Sequence, residues 1–166
     1  MMTPEQAQGL AAFLLPGTES EHKITAKLLA ALPEDKLDYT LGTKGRSAKD
    51  LAWHIVTSEL WFLNSIAAGE FSQGQPPEAP ATAAAMKAAY ESGFAEAVAK
   101  VQALGGEQLA KPVNFYNVYN LPAVAYLQFN LSHAIHHRGQ LAMMLRAMDA
   151  HVPSIYGGSA DEPFMG

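Results

Sequence analysis

The chain has 166 residues, 49% hydrophobic and 16% charged, a composition that fits one domain over 1–166 with a sizeable buried core and residues 1–15 as an N-terminal extension. A net charge of −5, with only 11 Lys and Arg scattered along the chain, leaves no basic footprint for nucleic acid, and the absence of cysteine excludes a disulfide framework, a thiolate nucleophile and Cys-ligated metal sites. No basic segment followed by an apolar run opens the sequence and no apolar stretch approaches the roughly 18 residues a membrane span needs, so a cytoplasmic protein without membrane contact is expected.

Four stretches carry a helical period. The first runs from about Thr18 or a little earlier to Leu32, with Ile24, Leu28, Leu29 and Leu32 at helical spacing and Pro33 ending it. Pro16 and Gly17 predict that residues 4–14 form a separate short helical piece or a kinked extension. Ser47, with Asp50 three residues on, caps a second helix over about 48–68 that stops at Gly69. The link "FSQGQPPEAP" after it is too poor in apolar residues to pack as an element. A third, Ala-rich helix spans about 81–104, carries Met86, Tyr90, Phe94 and Val98 at i, i+4 spacing, and ends at Gly105-Gly106. "KPVNFYNVYN" alternates aromatic and polar residues and suits an extended loop or short hairpin. Pro122 is placed to open a fourth helix reaching about Ala150. With strand signals almost absent, the expected fold is all-α, a four-helix bundle.

Three of the six histidines fall within "LSHAIHHRGQLAMML", residues 131–145. At about 100° per residue, Tyr126, His133, His137, Gln140 and Met144 share a face flanked by Phe129 and Leu141, whereas Arg138, Gly139, Ala142, Arg146 and Asp149 gather opposite as the expected solvent surface. His136 lies at the edge of the inward stripe. His133 and His137, one turn apart, can turn both rings to one ion, although an HxxxH match alone is unspecific and two hydrogen-bonded histidines in a polar pocket would look the same. On the second helix His54 shares a face with Leu51, Ser58, Trp61 and Ser65, while Lys49 and Glu59 fall elsewhere. Three inward imidazoles on two helices would each need partners for both nitrogens, and a shared divalent ion meets that need. Three His ligands with water on the open position is the arrangement of catalytic rather than structural metal sites.

"RSAKDLAWHI", followed by "SHAIHHRGQLAMMLRAM" and "HVPSIYGGSADEP", resembles the DinB-like family, also called DinB/YfiT-like metalloenzymes, over most of the chain. The resemblance implies a bundle with up-down-down-up connection and a divalent metal, commonly nickel or zinc, held by His54, His133 and His137, with His136 as the non-ligand neighbour. Some family members are S-transferases using bacillithiol, mycothiol or glutathione, and others are isomerases of the maleylpyruvate type.

Two readings of function follow. One is a metal-dependent enzyme, a hydrolase or thiol S-transferase acting on a small-molecule substrate with a low-molecular-weight thiol, the ion activating a bound water or thiol. The other is a metal-binding stress-response or interaction module without catalysis, suggested by the lack of a recognisable acid–base dyad. No catalytic residue is assigned by either. No Arg/Lys cluster is evident near the predicted pocket. Trp53 and Trp61 are expected to pack in the core or an interface, Arg138 to be exposed or ion-paired, Tyr116, Tyr119 and Tyr156 to lie in loops at a pocket mouth or over apolar surface, and His22 and His151 to be surface residues. Ala-rich helix faces and Trp53 suggest a two-fold homodimer.

Overall fold

The computed structural model describes residues 1–164. Four long helices dominate it: α1 (Pro4–Ala30), α2 (Ala48–Ala68), α3 (Ala83–Gln102) and α5 (Tyr126–Ala147). A five-residue helix, α4 (Gly106–Ala110), and an antiparallel hairpin, β1 (Pro112–Phe115) and β2 (Tyr119–Pro122), fill the connection between α3 and α5. Helix α2 packs against α3 and α5, and α1 packs against the same two. A continuous apolar core runs through all four, including Leu28, Leu29, Ile55, Leu63, Met86, Leu127, Leu141 and Leu145. No helix among the described residues is long and apolar enough to cross a membrane.

Local signals account for most element ends. Thr3 and Gln6 form a reciprocal capping box at the start of α1, with Pro4 at its first position. The Ser47 hydroxyl accepts from Asp50 N–H at 3.0 Å, and Gly69, at φ 72°, closes α2 in the left-handed conformation that glycine adopts without strain. At α3, Thr82 caps Ala85, and the carboxylate of Glu34 accepts from Ala83 and Ala84 N–H at 3.0 and 3.2 Å, placing a negative charge on the helix N-terminus.

Helix α1 departs from the expected break. It continues through Pro16, so residues 4–14 belong to it rather than forming a separate piece, and Ala7 and Ala11 are buried. Proline removes one backbone donor and crowds the preceding turn. Side chains bond to the surrounding carbonyls, with Thr18 Oγ1 donating to Leu14 O and Ser20 Oγ to Pro16 O. The GEQLA segment, not anticipated as helix, forms α4 and packs on α1. Pro122 ends β2 instead of opening the last helix, which begins at Tyr126 after a 3₁₀ turn over Ala123–Ala125. The hairpin is held to α5 by the buried Tyr126 hydroxyl, which donates to Val113 O at 2.8 Å.

The burial of α5 is also rotated from expectation. Its deepest stripe is Leu127, Asn130, Ala134, Arg138, Leu141 and Leu145. Arg138, assigned from the sequence to the solvent side, is 1% exposed. Its guanidinium is ion-paired with Glu21 of α1, donates to Glu21 O and Thr25 Oγ1, and donates to the Tyr156 hydroxyl at 2.5 Å. These partners lie on α1 and in the C-terminal segment, so the charge is buried with its counterion. His133 and His137 sit beside this stripe, half-buried on the flank of α5 that faces α2.

Candidate metal centre

His54 comes from the second turn of α2, His133 and His137 from the middle of α5, and the packing of these two helices brings the three rings together. One ligand atom from each lies within 4.8 Å of the other two. His54 Nε2 is 3.2 Å from His137 Nε2. The His133 ring centroid is 5.0 Å from that of His54 and 4.4 Å from that of His137. Nitrogen ligands about 2.0–2.1 Å from a tetrahedral ion are roughly 3.3 Å apart, so the His54–His137 pair already has that spacing, and adjustment of the His133 side chain would complete a three-nitrogen set.

The far side of the rings is organised as well. His137 Nδ1 lies 2.7 Å from Gln140 Oε1, which can only accept, so Nδ1 carries the proton and Nε2 presents its lone pair. Gln140 Nε2 in turn lies 3.2 Å from His136 Nε2, an acceptor for the amide N–H. The exposed His136 therefore orients the glutamine that orients His137, consistent with its expected non-ligand role. His54 Nδ1 is 3.2 Å from Ser58 Oγ one turn along α2. Outer hydrogen bonds of this kind fix tautomer and ring orientation at metal-binding histidines.

Burial, foremost, drives the pKa of His54 down to about 4, reinforced by Arg46 and the two other imidazoles. His133 is likewise pushed down to about 4 by burial and then by its histidine neighbours and Arg46. His137 is lowered by burial, against the opposing hydrogen bond of Gln140. All three are neutral at physiological pH, the state required for ligation. The donor set, the His137 tautomer and the neutral protonation state fit a divalent cation.

Two clefts meet at His54. One, of 720 Å³, is bordered by Leu41, Arg46, Leu51, His137, Gln140 and Met143. The other, of 580 Å³, runs between α2, the 72–77 connection and the hairpin tip. Trp53 and Trp61, expected in the core or an interface, are only partly buried and wall this second cleft beside Tyr116. Arg46, between Lys44 and Lys49 and one residue before the cap of α2, is not distinguished in the sequence as a cleft residue, because the connection that carries it has no periodicity. His151 is exposed as expected and pairs with Glu162. His22 is not a surface residue: its ring stacks on Phe94 at 3.8 Å, and burial drives its pKa down to about 4. A further pair lay outside the sequence reading, Glu59 and Tyr90, both buried, the phenol donating to the carboxylate at 2.5 Å. Burial raises Glu59 to about 7.

A helical bundle carrying three convergent neutral histidines at the junction of two open clefts defines a class of protein able to hold a metal ion with positions left for a ligand. A sequence model of the DinB family matches residues 11–163, and the chain belongs to that family. It is 29% identical over 152 residues to YrdA of Bacillus subtilis, covering 89% of each chain. A DinB-like protein from Bacillus cereus has a similar structure, with a TM-score of 0.74 at 23% identity, covering 86% of this chain and 95% of that one. The mycothiol-dependent maleylpyruvate isomerase is similar in fold, with a TM-score of 0.59 at 14% identity, covering 83% of this chain and 60% of that one.

Proposed function

We propose that this DinB-family chain is a metal-dependent enzyme in which His54, His133 and His137 hold a divalent ion, nickel or zinc, and that it transfers the sulfur of a low-molecular-weight thiol to an electrophilic small molecule. The observation that carries the reading is the ring geometry: three neutral imidazoles converge from two helices, and the outward nitrogens of His54 and His137 are held by Ser58 and Gln140. The fold shared with a mycothiol-dependent enzyme supports the choice of a thiol. The proposal includes the up-down-down-up connection of the four long helices, a homodimeric assembly and a cytoplasmic location.

When bound, the ion supplies a Lewis acid that lowers the pKa of a thiol or water on its open position. The chain's own residues do the rest. Gln140 and Ser58 keep the imidazole lone pairs aimed at one point. Arg46, on the rim of the larger cleft, offers a guanidinium to a thiol that carries a carboxylate, as glutathione and bacillithiol do. Leu41 and Met143, both exposed, add apolar surface to the rim of the same cleft.

The test is turnover of the zinc- or nickel-loaded protein on chloro-dinitrobenzene and epoxide electrophiles with glutathione, mycothiol and bacillithiol in turn. Thiol-dependent turnover that disappears in His54→Ala is expected. Persistent inactivity of fully loaded protein across the panel would overturn the enzymatic reading in favour of a non-catalytic metal-binding module.

A further inference from the structure

We infer that the cleft walled by Trp53, Trp61 and Tyr116 is the subsite for a flat, uncharged aromatic part of the substrate, whose reacting atom it delivers to His54. This deepens the metal-dependent reading above and rests on it. Trp53, Thr57 and Trp61 recur every four residues along α2, and Trp61 falls on the face that carries His54 and Ser58. His54 belongs to the lining of this cleft and of the Arg46 cleft, so a molecule in either reaches the same imidazole.

The walls are built to present ring faces. Trp53 Nε1 donates to Pro77 O at 2.6 Å and Trp61 Nε1 to Ser72 O at 3.1 Å, which engages both indole N–H groups and pins the 72–77 connection as the outer wall. The Tyr116 hydroxyl donates to the same Ser72 carbonyl at 3.3 Å, and its ring lies nearly parallel to that of Trp61, with an interplanar angle of 18° and centroids 6.3 Å apart. The hairpin tip is a tight turn closed by Val118 N–H donating to Phe115 O at 2.9 Å. Tyr116 and Asn117 have φ values of 51° and 59°, a region disfavoured for a bulky residue, and the Asn114 side chain accepts from Asn117 N–H to hold the turn.

Of the other polar side chains in the lining, Thr57 and Asn64 are engaged within the protein, whereas Gln75 is not. Thr57 Oγ1 donates to Trp53 O, and Asn64 donates to Leu60 O while accepting from Lys100. No Lys, Arg, Asp or Glu is among the described residues that line the cleft. An anion entering here would lose water and meet no cation, only neutral donors such as the Gln75 amide, whereas a flat apolar ring would gain both area burial and stacking. At 580 Å³ the space lies within the range of small-molecule sites. The other cleft differs in carrying one cation, Arg46, so the two clefts sort a substrate pair by charge, the ionic partner on the Arg46 side and the aromatic partner between the tryptophans.

The chain's only two tryptophans are the cleft walls, so intrinsic fluorescence reports on this subsite alone. Coumarin, flat and neutral, is titrated into the protein by tryptophan quenching and calorimetry, beside naphthalene-2-sulfonate, flat and anionic. Coumarin should saturate a single site and bind at least about tenfold more tightly than the sulfonate, and Trp61→Ala and Trp53→Ala should each weaken it about tenfold while Trp61→Phe retains most of the affinity. Equal binding of the two probes by the unaltered protein overturns the inference without needing any variant, as does undiminished coumarin affinity in both alanine variants with native circular dichroism. Zinc titration of the same samples separates the two claims. Zinc binding lost in His54→Ala together with absent coumarin binding defeats the subsite alone, and coumarin binding without any zinc binding defeats the metal reading alone.

Discussion

The buried pair of Arg138 and Glu21 allows a sharp test of how α1 is locked to α5. The Arg138 side chain is 1% exposed and that of Glu21 17%. Besides the carboxylate, the guanidinium has only neutral acceptors, Glu21 O, Thr25 Oγ1 and the Tyr156 hydroxyl, and its Nε has no partner. Glu59, the other nearby acid, is raised to about 7 by burial and compensates only weakly. Glu21→Ala therefore strands a cation in the interior, which costs about 3–5 kcal/mol for a fully buried pair and about 3 kcal/mol here, because Glu21 itself reaches water. Arg138→Met keeps an unbranched stem of similar length and leaves Glu21 free to turn to solvent, so about 1–2 kcal/mol is expected. At about 2–4 °C per kcal/mol for a chain of this size, melting followed by circular dichroism should fall by about 6–12 °C in Glu21→Ala and about 2–8 °C in Arg138→Met. A loss in Arg138→Met equal to or greater than that in Glu21→Ala would refute the reasoning and place the value of this site in the packing of the arginine stem.

Glu59→Gln tests the second buried acid. A carboxyl whose folded pKa is raised from 4.5 to about 7 is favoured in its neutral form, so it contributes fully below the unfolded value and loses stability as pH rises toward 7, with a slope of up to about 1.4 kcal/mol per pH unit. The glutamine variant should lack that slope and be the more stable protein above neutrality in urea unfolding; an unchanged pH profile would show that Glu59 ionises normally in the fold. Gln140→Ala should weaken zinc binding about 10- to 100-fold by calorimetry through loss of the His137 orienting bond, while leaving helical circular dichroism intact. Zinc at a hundredfold above its Kd should raise the melting temperature by about 5–10 °C, from about 2.7 kcal/mol of linkage, and chelation should lower it without unfolding the apolar core. Light scattering at tens of micromolar should give twice the chain mass; a monomer mass would remove the homodimer.

Much of this architecture is written in local signals. Ser47, Asp50 and Gly69 bound α2 because caps and left-handed stops depend on neighbours in sequence, and the aromatic alternation of residues 111–120 corresponds to the hairpin. The convergence of His54 with His133 and His137 follows from helical period, which places each on a face turned toward the other helix. What was not legible depends on distant segments. Arg138 reads as an exposed or ion-paired residue on the solvent side; the pairing is present, but only Glu21, Thr25 and Tyr156, arriving from α1 and the C-terminal segment, bury it, and this shifts the centre of the buried stripe on α5. Pro16 reads as a break because the penalty is local, whereas the packing of Ala7 and Ala11 that carries α1 through it is tertiary. Trp53 and Trp61 have the spacing of core residues, and only the docking of the 72–77 connection and Tyr116 shows that they border a cleft.

The most direct measurement of the central claim is a calorimetric titration of zinc into tag-free, metal-free protein at neutral pH, repeated with His54→Ala, His133→Ala, His137→Ala and His151→Ala. The account predicts one ion per chain, affinity reduced at least about a hundredfold in each of the first three variants, and no change in the fourth, whose histidine pairs with Glu162 on the surface. Full zinc affinity in His54→Ala, or binding that follows His151 instead, would contradict it.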